Sequence, residues 1–86
     1  MIIDLHNGVS GVVFSYDNAG EVIDFIADRV EGGNPYPIMQ YYPKLNAYVF
    51  GKTKHVITDG MYIVHVKRYN HFLLTGSDNW IREYNV

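Results

Sequence analysis

Between residues 18 and 31, "NAGEVIDFIADRVE" sets apolar side chains at Ala19, Val22, Ile23, Ile26, Ala27 and Val30. That i, i+3, i+4, i+7 spacing predicts one amphipathic helix. Asp17 or Asn18 is placed to cap its start, and Gly32-Gly33 to end it with left-handed backbone. On either side the period changes. "MIIDLH" and "VSGVVFSY" are short β-branched runs separated by Asn7-Gly8, which predicts a hairpin over residues 2–6 and 9–16. Gly11 is expected to weaken the second strand or mark a bulge.

After the helix, "NPYP" is a stiff connector, because each proline pushes its predecessor toward extended geometry. The rest reads as a meander: "IMQYY", turn "PKLN", "AYVFG", a turn through Lys52-Thr53, "KHVIT", turn Asp59-Gly60, "MYIVHVK", turn "RYNH", and "FLLT". Ser77 or Asp78 opens a final helical turn, "NWIREY". The expected fold is therefore α+β, a single domain over residues 1–86. One helix packs on an antiparallel sheet of six or seven strands, because only a sheet face is large enough to bury the helix's apolar stripe.

Composition narrows the function. There are no cysteines among the 86 residues, which excludes a disulfide scaffold, thiolate metal sites and a cysteine nucleophile. The N-terminus lacks the basic and apolar regions of a signal peptide, and no run reaches the ~18 apolar residues of a membrane span, so a cytoplasmic location is expected. A net charge of −2 hides an asymmetry. Residues 1–33 carry −5, with Arg29 their lone base, and residues 34–86 carry +3.

"YVFGKTKHV" contains Gly51-Lys52-Thr53, the end of the phosphate-binding P-loop signature. Position 46, where the signature needs glycine, is Asn46, and a strand rather than a helix is expected to follow. The triplet reads as a hairpin connection.

Two charged surfaces are expected instead. Glu21, Asp24, Asp28 and Glu31 fall within about 80° of one another at ~100° per residue, with Phe25 beside them as an aromatic anchor. If Asp59-Gly60 is a two-residue turn, Lys52, Lys54, His65 and Lys67 share one end of a hairpin face, with Arg68 and Tyr69 in the next turn. On that register His55 and His65 point to opposite faces. Asp4 and His6 share a face of the first strand, but two ligands are too few for a structural zinc. No nucleophile elbow, phosphate cradle or carboxylate dyad is present. Neither a catalytic set, a metal site nor a cofactor is therefore expected.

The expected function is a small non-enzymatic module that binds another protein, as inhibitors and adaptors of phage or mobile-element type do. Nucleic-acid binding through the basic segment 52–71 is the alternative. Homodimerisation through an edge strand, "MIIDL" or "FLLT", is a further expectation.

Overall fold

A computed structural model describes residues 1–85 of the chain. The fold is α+β, with seven strands in two antiparallel sheets and one long helix among the described residues. In chain order the main elements are β1 (Ile2–Asp4), β2 (Val9–Val13), α1 (Ala19–Arg29), β3 (Met39–Tyr42), β4 (Ala47–Phe50), β5 (His55–Val56), β6 (Tyr62–Val66), β7 (His71–Thr75) and α2 (Trp80–Glu83). The larger sheet has the order β1-β2-β6-β7 and the smaller one β3-β4-β5.

This division corrects the single sheet expected from the meander. The Asp59-Gly60 turn forms, with the Met61 amide donating to the Thr58 carbonyl at 3.1 Å, but its arms go to different sheets. A two-residue hairpin of the favoured type needs positive φ at both central residues; here Gly60 has φ 91 and Asp59 is not in that region. Both arms have other partners. β5 pairs with β4 through Val49–Val56 and Phe50–His55. β6 lies between β2 and β7. The turn itself docks on the continuation of β2: the Gly60 amide donates to the Phe14 carbonyl (2.9 Å) and the Tyr16 amide to Asp59 Oδ1 (3.0 Å).

The other hairpins follow the expected turns. The β3–β4 and β6–β7 connections share one design, a 3-10 turn (Pro43–Leu45, Lys67–Tyr69) closed by an asparagine in left-handed geometry, Asn46 or Asn70. Asparagine tolerates that region better than other non-glycine residues. Residues 51–54 join β4 to β5, so Gly51-Lys52-Thr53 is a hairpin connection. The first hairpin is shorter than expected: Ile2 pairs with Val12 and Asp4 with Ser10, leaving residues 5–8 as the loop.

The central position of β6 explains its sequence. Both faces of the larger sheet are covered, so "YIVHV" is nearly continuous in burial rather than alternating. On one face Val12, Ile63 and Phe72 pack with Val22, Phe25 and Ile26 of α1 and with Met39 and Ile57. On the other, Val9, Val64 and Val66 pack under Trp80 of α2. Gly11 sits in regular pairing opposite Val64, without a bulge. Its lack of a side chain makes room for the Trp80 ring: a Cβ there would lie 2.5 Å from Trp80 Cζ2.

The stripe of α1 is rotated from the expected one. Ala19, Val22, Phe25 and Ile26 are buried, while Ile23, Ala27 and Val30 are half-buried. Phe25 is only 1% exposed: its ring is the bulkiest on the helix, and the Arg29 guanidinium covers it at 3.8 Å. Asn18 precedes the helix without capping it by a side-chain bond. Its side chain instead ties the strand–helix joint, accepting from the Ser15 amide and donating to the Val13 carbonyl. The helix stops where Val30 turns extended, and Gly32 and Gly33 carry positive φ in the turn beyond. Among the described residues no helix is long and apolar enough to cross a membrane.

Candidate functional site

One level of the larger sheet is polar. Asp4, Ser10, His65 and Phe72 are successive cross-strand partners on β1, β2, β6 and β7. Directly opposed residues point to the same side, and this side faces α1. The C-terminal end of α1 brings Asp28 and Arg29 over the row. His6, Gly8, Lys67 and Asn70 close the far end, and with Asp4, Ser10, His65, Asp28 and Arg29 they line an open cleft of about 730 Å3.

Arg29 is fixed in this cleft. Its Nε donates to Ser10 Oγ and one Nη donates to the Phe25 carbonyl, each at 3.0 Å, while its Cζ lies over the Phe25 ring. The one ion pair among the described residues joins the N-terminal amine to Glu21, so Arg29 has no carboxylate partner there. His65 is 6% exposed, its ring 4.7 Å from that of Phe72. Its Nε2 is buried and without a hydrogen-bond partner. Burial pushes the His65 pKa down, and the positive charges of Arg29 and Lys67 add to this, against a smaller upward pull from Asn70.

A second surface is aromatic. Tyr41 and Tyr48 are cross-strand partners on β3 and β4, with rings 5.2 Å apart at 67°. Tyr48 also meets Tyr16 at 5.8 Å and Phe14 at 5.7 Å. Phe14 is buried, whereas Tyr16 and Tyr41 are 47% and 45% exposed. The Tyr41 hydroxyl donates to Asn46 Oδ1, which fixes that ring.

The residues singled out from sequence are redistributed. Glu21, Asp24, Asp28 and Glu31 are all exposed on α1. Phe25 cannot serve as their anchor, because it belongs to the core. The basic hairpin face does not form, since its two strands lie in different sheets. Lys52 and Lys54 belong to the β4–β5 connection, with Lys54 5.9 Å from the Tyr42 ring. Lys52 borders a groove with Asn70 and His71, so it stays near the turn holding Lys67, Arg68 and Tyr69. Those three are exposed, and Arg68 lies 5.3 Å over Tyr69. His65 is inside, beneath α1, because β6 is covered on both faces. Asp4 and His6 do not share a strand face: His6 has left the strand with φ 60, and its amide donates to Asp4 Oδ1. Both still border the cleft.

Sequence reasoning passed over Ser10, Arg29 and Asn70, and the tyrosine cluster. Arg29 carried a signal, as the lone base in an acidic segment. Ser10 gave less, being one small polar residue in an apolar strand. Among the described residues no group of three or more His, Asp or Glu is placed to hold a metal ion. Compared with known proteins, the chain matches no family model, no curated protein and no solved structure.

Proposed function

We propose that this protein is a non-enzymatic binding module whose ligand is another protein, acting as an inhibitor or adaptor, and that it docks through Tyr16, Tyr41 and Tyr48. The carrying observation is the edge-to-face tyrosine cluster, half-exposed and backed by buried Phe14. Rigid aromatic side chains with an apolar body and a polar tip are the residues in which interface affinity concentrates. Here they lose little side-chain freedom on binding, because each ring is already held by its neighbours. The acidic face of α1 supplies charge that steers association and selects a partner with basic surface.

The nucleic-acid reading rests on the exposed Lys67-Arg68-Tyr69 turn, with Lys52 nearby. Three or four cations give few phosphate contacts, and the −2 net charge opposes binding at a distance.

Affinity capture from the source cell, quantified by mass spectrometry, tests both. A partner retained by the wild-type chain should be lost with Tyr41→Ala and kept with Lys67→Glu/Arg68→Glu. The Tyr41→Ala loss should be about 2 kcal/mol or more once the partner is purified. Gel-shift binding of RNA or DNA below about 1 μM at ~150 mM salt, lost in the double charge reversal, would refute the proposal.

A further inference from the structure

The polar cleft beneath the end of α1 is separate from the tyrosine surface, and its chemistry points to a different ligand. Arg29 is held on three sides, by Ser10, by the Phe25 carbonyl and by the Phe25 ring, and forms no ion pair with a carboxylate among the described residues. A half-buried cation without a counter-charge carries a desolvation cost that a bound anion would offset. The groups that fix Arg29 also preorganise it, so an arriving anion meets a guanidinium already oriented. His65 also lines this cleft, and its buried Nε2 has no hydrogen-bond partner among the described residues; such orphans in a folded protein call for an explanation. Lys67 adds a third nitrogen at the rim.

We propose that this cleft binds a carboxylate group, held by the free edge of Arg29 and by the His65 Nε2–H, with Lys67 at the rim. The planar guanidinium matches a carboxylate in a way that a point charge does not. The other charged groups of the cleft decide against a dianion. Asp4 comes from β1 and Asp28 from α1, and both repel a second negative charge. Asp4 accepts from the His6 amide, a neutral donor that leaves its charge in place, so both carboxylates limit the charge the cleft accepts.

Binding is coupled to a proton. A carboxylate beside His65 offsets the field of Arg29 and Lys67 and so favours the imidazolium. Affinity should therefore rise as pH falls through the ordinary histidine range, because the bound carboxylate counters the burial and the Arg29 and Lys67 charges that hold the His65 pKa down; Asp4, His6 and Asp28 are the other charged or titratable side chains bordering the cleft.

The carboxylate has two possible sources, a small free acid or the C-terminus of a polypeptide. NMR titration of the whole chain distinguishes them, following the Arg29 Nε–Hε and His65 imidazole signals at constant ionic strength. Sodium acetate up to about 100 mM should give saturable shifts of both signals that sodium chloride does not reproduce. Arg29→Lys keeps the charge and removes the fork, and should weaken binding about tenfold or more. Lys67→Gln, exposed and outside the core, should weaken it about threefold with the fold intact. N-acetyl-trialanine with a free C-terminus, compared with its amide, assigns the source. Tighter binding than acetate means a polypeptide end, and equal or weaker binding a small acid; either result supports the proposal. Three outcomes would overturn it: shifts that never saturate, affinity indifferent to both substitutions, or inorganic phosphate bound about tenfold more tightly than acetate. The tyrosine reading stands or falls independently, since Tyr41→Ala should leave acetate binding unchanged.

Discussion

Gly11→Ala is the sharpest test of the two-faced sheet. The added Cβ would lie 2.5, 2.6 and 3.3 Å from Trp80 Cζ2, Cη2 and Cε2. Contacts that close force a shift, and the ring is not the free end of a flexible side chain: Trp80 is 3% exposed and packed with Tyr62, at 5.9 Å. Overpacking a core by one methyl costs about 1–3 kcal/mol, and three ring atoms within 3.4 Å place this site at the upper end. Alanine recovers about 0.5–1 kcal/mol over glycine in a strand. The ceiling is expulsion of the ring, comparable to Trp→Ala at about 3–5 kcal/mol. The expected net loss is about 2 kcal/mol, a large share of the stability of so small a domain. Urea unfolding measures it. Trp80 is the only tryptophan in the chain, so its emission reports the cause directly and should shift to the red. In a Trp80→Leu background the same substitution should cost less than about 0.5 kcal/mol, because the clash is gone. A loss below about 0.5 kcal/mol in the wild-type background, with unchanged emission, would refute this packing of α2 on the sheet.

Ile26→Ala should cost about 2–5 kcal/mol and Phe25→Ala about 3–5 kcal/mol in urea unfolding; a Phe25→Ala loss under about 1 kcal/mol would return that ring to the surface. Stability should fall as pH drops below about 6.5. The buried His65 holds its proton less well than in the unfolded chain, whose pKa is near 6.5. Below that value the unfolded state binds more protons, so unfolding free energy rises with pH and levels off above it. Comparing pH 5.5 with pH 7.5, at about one unit on either side, His65→Gln should flatten this slope; an equal slope in both proteins would place the titrating group elsewhere. Asp28→Asn should raise the affinity of the cleft for acetate and narrow its preference over phosphate, read by the same NMR titration. The proposed homodimer requires pairing at β1 or β7, the two edges of the larger sheet. Light scattering should show twice the monomer mass, lost on Leu73→Lys; monomer mass at every concentration would end that proposal.

Local physics determined much of this protein. The helix was legible because six apolar residues recur at its period, and the turns because asparagine and glycine are needed where φ is positive. Thus "PKLN" and "RYNH" became the two matching connections, and Asn46 in place of a P-loop glycine sits in one of them. Burial was less legible. Phe25 and His65 were placed by local angle and register, and both are inside. Nothing local says that Arg29 shields the Phe25 ring, or that α2 covers the second face of the sheet and so buries β6 from both sides. Asp59-Gly60 shows the limit most clearly. The dipeptide does make a turn, but whether a turn closes a hairpin depends on which strands its arms find, and here each found a better partner elsewhere. That choice moved Lys52 and Lys54 to the small sheet and His65 under the helix. It also assembled the cleft from β1, β2, α1, β6 and the β6–β7 turn, segments up to 66 residues apart along the chain, from Asp4 to Asn70. A side chain's period fixes the face it points to; only long-range pairing decides what covers that face.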